Sequence, residues 1–206
     1  MLKLLMHENS LELRRQLLHL GFGLFLSLMI AMDYFNIVFF CFILLFSLVL
    51  SFFSKFVDIP GVTFFLEYFD RPKDRKSFPG KGFITFLIGT ISSYILFGIV
   101  FHNRFAALIA VLCLTIADSF SSLYGLMFGR IRNPLNKKKS LEGAAFALLF
   151  LFFVMLLFLP ARFALLVSAV CVFFETIEFK VFGKVLDDNI YLPLIAGTII
   201  LLLNTI

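Results

Sequence analysis

The sequence predicts an all-α polytopic membrane protein with about seven transmembrane helices, one domain over residues 1–206, and a cytoplasmic N-terminus. Hydrophobic residues make up 61% of the 206 residues and charged residues only 15%, with a mean hydropathy of +1.03. A soluble domain of this size could not bury so much apolar surface. The apolar residues also form blocks long enough to cross a hydrocarbon core of about 30 Å as helices.

Seven apolar blocks have the length and hydropathy of candidate spans. They cover residues 17–32, 36–53, 82–101, 105–128, 141–159, 163–179 and 190–206. The first block is short, so we expect its helix to begin in the amphipathic stretch near Ser10. The apolar segment 61–69 is too short to span a bilayer, and we expect it to be interfacial or re-entrant.

Lysine and arginine are distributed very unevenly between the two ends of these blocks. Sixteen of the 18 fall in the N-terminal segment and in the connections that share its side, and only Arg104 and Arg162 fall on the other side. The positive-inside rule therefore predicts a cytoplasmic N-terminus and cytoplasmic connections at 70–81, 130–140 and 180–189.

Among the ionisable residues, Asp118 is the hardest to explain by a purely structural role. It lies about 20 Å along the fourth block, at about 1.5 Å per helical residue. Asp118, Ser122, Gly125 and Gly129 recur at helical spacing on one face. Close helix packing would explain the serine and the glycines. A carboxylate at that depth needs a cation, and nucleotide-bound magnesium would serve.

A run of three lysines, 137–139, precedes the fifth block and leads into Ser140, Leu141, Glu142 and Gly143. Ser140 is predicted to cap the helix, and the first backbone N–H groups would form an anion site together with the lysines. The alternative interpretation is a stop-transfer charge cluster, which is common in membrane proteins.

Glu12, Arg15 and His19 share one face of the helix that enters the first block. The set could orient a phosphate or supply a base, and a local ion pair at the interface is an equally good interpretation.

The last two blocks carry acidic residues at their cytoplasmic ends. Glu175 and Glu178 lie about one turn apart, and Asp187, Asp188 and Asn189 open the final block. Helix capping explains Asp187. Together with the earlier clusters, these residues are predicted to meet on the cytoplasmic side, as phosphoryl or nucleotidyl transfer requires.

In their order along the chain, these motifs resemble those of the dolichol kinase and phytol kinase family, which includes CTP-dependent diacylglycerol kinases. The residues that carry the resemblance are Glu12, Arg15 and His19, then Ala117-Asp118-Ser119 with Gly125 and Gly129, then Lys139-Ser140-Leu141-Glu142-Gly143, then Asp188-Asn189 with Pro193. One departure is visible, because the first motif often reads Arg-Lys and here reads Arg15-Gln16.

The resemblance implies a CTP-dependent kinase that phosphorylates the hydroxyl of a membrane-embedded lipid alcohol, either an isoprenoid or diacylglycerol. Asp118 would bind Mg²⁺, and Lys139 with Arg15 would hold phosphates. Glu142, Glu175 or Asp188 would complete the metal shell or accept the hydroxyl proton, and His19 is a further candidate base. The residues predicted to contact the nucleotide are Arg15, Ser122, Gly125, Lys138, Lys139, Ser140 and Asn189.

Two alternatives stay open. A cytidylyltransferase that joins CTP to a lipid phosphate would use much the same nucleotide site. The second alternative is non-enzymatic, either a transporter or a structural membrane protein. A transporter would favour internal repeats and midplane ionisable residues, and neither is visible. The basic segment 70–81 is either a mobile nucleotide lid or a contact to anionic lipid. The expected partners are the lipid alcohol, CTP and membrane lipids, with no nucleic acid.

Overall fold

The computed structural model describes residues 2–181 and 184–203, with side chains at 9–180 and 185–203. Over these residues the chain is predominantly helical, and the predicted all-α class is confirmed. The α-helices are α1 (Leu2–Ala31), α2 (Ile37–Phe53), α3 (Pro60–Phe69), α4 (Pro72–Ser77), α5 (Lys81–Ser93), α6 (Arg104–Phe128), α7 (Leu141–Met155), α8 (Ala161–Glu175) and α9 (Asp188–Leu203). A π-helical segment, Tyr94–Val100, extends α5, and two-residue strands β1 (Lys180–Val181) and β2 (Lys184–Val185) form an antiparallel hairpin.

Each predicted block lies on a helix, with differences at the ends. α1 begins at Leu2 and not near Ser10, because residues 2–9 are mostly good helix formers. α7 ends at Met155, four residues before the predicted end, since Pro160 follows and cannot continue the helix. α8 ends at Glu175, so Glu178 lies beyond the helix. Residues 204–206 of the last block lie outside the described residues.

Two helical segments of the described chain are long and apolar enough to cross a membrane. They are Lys81–Val100, with 20 residues, and α6, with 25 residues. α2, α7 and α9 are apolar but shorter. The peripheral helix α2 also exposes large aromatic side chains such as Phe39, Phe42 and Phe46. Lipid chains around the protein would cover this exposed apolar surface, so the exposure agrees with a membrane location.

α6 lies at the centre of the bundle. Residues 106–119 of this helix are all buried, and the helix packs against α1, α7, α8 and α9. Two glycines permit close approach. A Cβ at Gly23 of α1 would clash with Thr115, and a Cβ at Gly143 of α7 would clash with the backbone of Ser121. The helix that carries Asp118 is therefore held closely from two sides.

α1 and α6 run antiparallel. Asp33, in the left-handed turn after α1, pairs with Arg104 at the start of α6 at 2.5 Å. Asp118 lies about 20 Å farther along α6, and His19 lies a similar distance back along α1. These two residues therefore meet at the end of the bundle opposite to Arg104, where the connections 70–81 and 130–140 also lie.

Candidate active site

Lys139, in the connection between α6 and α7, lies at the centre of a buried charge cluster. Its ammonium donates to Oε1 of Glu175 at 2.6 Å, to the backbone carbonyl of Glu175 at 2.8 Å and to Oδ2 of Asp188 at 3.0 Å. Glu175 ends α8 and Asp188 begins α9. Burial lowers the pKa of Lys139, but Asp188, Glu175 and Asp118 outweigh burial and raise that pKa overall. The ammonium is therefore charged throughout the physiological range.

Asp118 faces His19 across the contact between α6 and α1. Nε2 of His19 lies 3.8 Å from Oδ2 of Asp118, which is too long for a direct hydrogen bond. The His19 ring packs edge-on against Phe86, with centroids 4.5 Å apart. Among the described residues, Nε2 of His19 has no hydrogen-bond partner although it is buried. The geometry leaves this nitrogen available to a ligand.

Arg15 connects the cluster to the first turns of α1. Its guanidinium pairs with Glu12, and Arg71 reaches the same carboxylate through contacts of 3.1 Å. Burial raises the pKa of Glu12, but the two arginines lower it to about 2. Burial lowers the pKa of Arg15, whereas Glu12, Asp118 and Asp188 raise it. Arg15 thus lies within the field of the acidic cluster.

Besides Nε2 of His19, three further polar atoms near the cluster are buried and have no hydrogen-bond partner among the described residues. They are Nε of Arg15, Oε2 of Glu175 and Oδ1 of Asn189. The amide of Asn189 donates through Nδ2 to Oγ1 of Thr85 at 3.2 Å, so only its oxygen lacks a partner. A buried polar atom without a partner costs about 1–3 kcal/mol. Such a set of atoms indicates a binding site for water or a ligand.

Two predicted site residues, Lys138 and Glu142, make their contacts outside the buried charge cluster. Lys138 pairs with Glu178 at 2.6 Å, in an ion pair where the lysine is 77% exposed. Glu142 accepts hydrogen bonds from the backbone N–H groups of Arg130 and Ile131 at 3.0–3.2 Å. Its carboxylate therefore holds the connection that follows α6, which favours a supporting role for Glu142.

Ser140 and Gly125 contribute to the crossing of α6 and α7. Oγ of Ser140 accepts the N–H of Gly143 at 3.1 Å, which confirms the predicted helix cap. A Cβ at Gly125 would lie 2.8 Å from that oxygen, so the glycine is explained by close packing. Ser122 lies one turn after Asp118 and is partly buried.

Asp70 is a part of the site that sequence patterns do not single out. Its Oδ2 accepts the N–H of Gly80 at 2.8 Å, and its Oδ1 accepts the N–H of Arg71 at 3.1 Å. Gly80 has a φ of 73°, which glycine adopts without strain. The carboxylate thus joins the two ends of the basic segment 70–81. In the sequence, only the position of Asp70 between an apolar segment and a basic one indicates a special role.

Asp187 also has a larger role than its sequence suggests. It accepts the N–H of Asn189 at 3.3 Å, as predicted for a helix cap, and it lies 3.5 Å from the ammonium of Lys81. Burial raises the pKa of Asp187, and neighbouring Asp188 raises it further. The start of α9 is therefore joined to the start of α5.

A pocket with about 60 Å³ of space open to ligand atoms lies beside the cluster, between α1, α3 and α5. Arg15, His19, Asp70 and Asn189 form its polar end. The rest is apolar and mostly aromatic, with Phe22, Phe65, Leu66, Phe69 and Phe83 among the lining side chains. The site therefore combines charged side chains with an apolar, largely aromatic pocket wall.

The described residues contain no group of three or more His, Cys, Asp and Glu side chains that could hold a metal ion. A magnesium ion that arrives with a nucleotide takes only one or two carboxylates and otherwise phosphate and water. Asp118 and Asp188 are the carboxylates predicted for that role, and Oδ2 of Asp188 already accepts a hydrogen bond from Lys139. Glu175, predicted as a further ligand, uses Oε1 to bind Lys139 and has only Oε2 left.

Comparison with known proteins finds no matching family model, curated protein or solved structure. The functional conclusion therefore depends on the geometry of the site and on the motifs of the chain.

Proposed function

We propose that the chain is a multi-pass membrane kinase of the dolichol and phytol kinase type. It would transfer a phosphoryl group from CTP to the hydroxyl of a lipid alcohol, with seven spans and the cluster on the cytoplasmic side. One observation supports this proposal above the others. Arg15, Asp118, Lys139, Glu175 and Asp188 come from five separate parts of the chain and meet beside an apolar pocket.

Lys139 and Arg15 are the groups that would hold the phosphates. Phosphoryl transfer needs little covalent chemistry from the protein, and most of its catalysis is positioning and charge stabilisation. Glu175 and Asp188 hold the Lys139 ammonium through three contacts of 3.0 Å or less. The cation is therefore fixed before the nucleotide arrives. Because these contacts use all three of its N–H donors, it would act on the phosphates through its charge.

Asp118 and Asp188 are the residues that would hold magnesium. The ion would neutralise phosphate charge when it is bound with the nucleotide. The charge balance of the cluster favours this form of the substrate. Lys139 faces Asp118, Glu175 and Asp188, so free CTP would meet an excess of carboxylates, whereas metal-bound CTP would not.

His19 is placed to accept the proton of the acceptor hydroxyl. It lines the pocket, and its Nε2 is buried without a partner among the described residues. The lipid oxygen would form a bond to the γ-phosphorus of CTP as the bond to CDP breaks. The hydroxyl proton would pass to His19 and CDP would leave. Asp118, 3.8 Å away, would stabilise the protonated ring.

The test is a phosphoryl-transfer assay on the full chain in detergent, with magnesium and γ-labelled CTP or ATP. Geranylgeraniol, phytol, a polyprenol and diacylglycerol would be offered separately as acceptors. Label in the lipid, with CTP as the better donor, is the expected result. Labelled pyrophosphate released only when lipid phosphates are offered would overturn the kinase assignment and establish the cytidylyltransferase alternative.

A further inference from the structure

We infer that the pocket between α1, α3 and α5 is the acceptor site, and that it takes the hydroxyl end of a single-chain lipid alcohol. The identity of the reaction rests on the proposed function. Binding of the alcohol depends on the pocket alone, and it can be tested without any transfer reaction.

The polar end of the pocket suits one hydroxyl group. Oδ1 of Asn189 is an acceptor and Nε–H of Arg15 is a donor, and both are buried without partners among the described residues. A hydroxyl can donate one hydrogen bond and accept others, so a single alcohol group could satisfy both atoms. Asn189 is only 6% exposed and is held by its bond to Thr85. The amide oxygen is therefore fixed in its orientation.

The charges at this end favour a neutral group over a lipid phosphate. Arg15 is the one arginine or lysine among the described lining residues, and it shares the Glu12 carboxylate with Arg71. Asp70 adds a carboxylate to the same lining. The described lining therefore carries one guanidinium and one carboxylate, and Asp70 would repel the two negative charges of a lipid phosphate, so a neutral hydroxyl is favoured.

The apolar part of the pocket suits one chain and leads out of the bundle. Phe65, Leu66 and Phe69 of α3 line it from the outside. None of the α3 residues is buried, and the neighbouring Phe64 is 67% exposed. The chain beyond the pocket would therefore continue into the surrounding lipid. The space open to ligand atoms is about 60 Å³, room for about five water-sized groups. That space matches a hydroxyl with the first few carbons of one chain, and a glycerol carrying two acyl chains is too bulky for it.

The chain contains no tryptophan, so one introduced tryptophan is a unique fluorescent reporter. Phe65→Trp places it in the pocket wall, and Phe64→Trp places it on the same helix outside the pocket. The probe is a dibrominated octadecanol, which quenches tryptophan on contact, titrated into the purified full chain in detergent micelles. The expected result is saturable quenching at position 65 and non-saturable quenching at position 64. Phe83→Trp, from α5, is a second pocket reporter should the first variant fold poorly.

Two glycines provide a matched test of occupancy within the Phe65→Trp background. A Cβ at Gly82, which lines the pocket, would lie 3.8 Å from Nη1 of Arg15, so a leucine there would enter the pocket. A Cβ at Gly61 of α3 would meet nothing within 4 Å. Gly82→Leu is expected to raise the half-saturation concentration by about tenfold. Gly61→Leu is expected to leave it within about twofold.

The outcomes separate this inference from the proposed function. Identical, non-saturable quenching at positions 64 and 65 overturns the pocket assignment, even when labelled lipid is formed. Saturable binding without any labelled lipid overturns the kinase and leaves the pocket assignment standing. Unlabelled octadecanol should displace the probe better than octadecyl phosphate or diacylglycerol. Stronger displacement by either of those two overturns the choice of a single-chain alcohol.

Discussion

The ammonium of Lys139 lies 2.6 Å from Oε1 of Glu175, a residue that is 1% exposed and 36 positions distant in sequence. The two residues meet because α7 and α8 are packed antiparallel, which returns the end of α8 to the connection where α7 began. The preceding lysine, Lys138, forms an ion pair of equal length with Glu178, but the Lys138 side chain is 77% exposed. The two pairs therefore offer a direct comparison of a buried and an exposed ion pair.

Lys139→Met is expected to lower the free energy of unfolding by about 3–5 kcal/mol, because the buried Glu175 carboxylate would lose its counter-charge. Lys138→Met is expected to lower it by less than about 1 kcal/mol, since water solvates its partner. Denaturant titration of both variants in the same detergent measures the difference. Adding Glu175→Gln to Lys139→Met should restore part of the loss. Equal, small losses in the two single variants would contradict a buried pair.

Asp118→Asn is expected to reduce kcat by about 10²–10³-fold, because the shape is kept while the side chain loses the negative charge proposed to bind the metal and to stabilise the protonated His19 ring. The matched control is Asp33→Asn at the other end of α6, where Asp33 pairs with Arg104. That variant should retain full turnover. Melting temperature, recorded for both proteins, shows whether each is folded. A fully active Asp118→Asn protein would remove the central residue of the proposed site.

Gly143→Ala is expected to destabilise the protein by about 1–3 kcal/mol, because the added methyl group would overlap the backbone of Ser121 on α6. Gly21→Ala is the control, since a Cβ at Gly21 of α1 would meet nothing within 4 Å. Alanine has the higher helix propensity, so this second change should stabilise by up to about 1 kcal/mol. Unfolding measurements that gave both variants the same sign would argue against a close α6–α7 contact.

The sequence locates the charged residues of the site because ionisable side chains stand out in or beside apolar blocks. Asp118, Lys139, Glu175 and Asp188 are all visible in this way, and the structure brings them together. Helix ends are predicted less well, since α1, α7 and α8 end or begin up to several residues from the expected positions.

The supporting contacts could not be predicted, because they depend on tertiary geometry. Glu142 is part of a recognisable motif, yet its oxygens bind the N–H groups of Arg130 and Ile131. Asp70 and Thr85 have no distinctive neighbours in sequence, and their roles appear only when Gly80 and Asn189 are placed beside them. Residue type indicates which groups need a partner, and only the packing of the helices decides which partner each one finds.

The proposed seven-span topology predicts which positions face the cytoplasm. In a variant with Cys41, Cys113 and Cys171 replaced, single cysteines at Lys76 and Arg162 would report on opposite sides. A membrane-impermeant maleimide should label position 76 only in inside-out vesicles and position 162 only in right-side-out vesicles. Labelling of both positions from the same side would exclude the seven-span arrangement.

The pairing of Glu12 with Arg15 and Arg71 predicts a loss of stability in acid. The pKa of Glu12 is about 2 in the folded protein against an ordinary value of 4.5. A carboxylate whose pKa is lower in the folded than in the unfolded protein stabilises the fold at pH values above its unfolded pKa. That stabilisation is lost as the pH falls from 4.5 towards 2. A shift of that size corresponds to on the order of 3 kcal/mol.

Glu12→Gln should therefore be less stable than the unaltered protein at pH 6 and should lose less stability between pH 5 and pH 3. Thermal unfolding in detergent across that range measures the two slopes. Glu67→Gln, which neutralises an exposed glutamate on α3, is the control and should follow the unaltered protein at every pH. Arg71 belongs to the segment 70–81. A Glu12→Gln protein with unchanged acid sensitivity would therefore show that this segment is not held to α1 by charge.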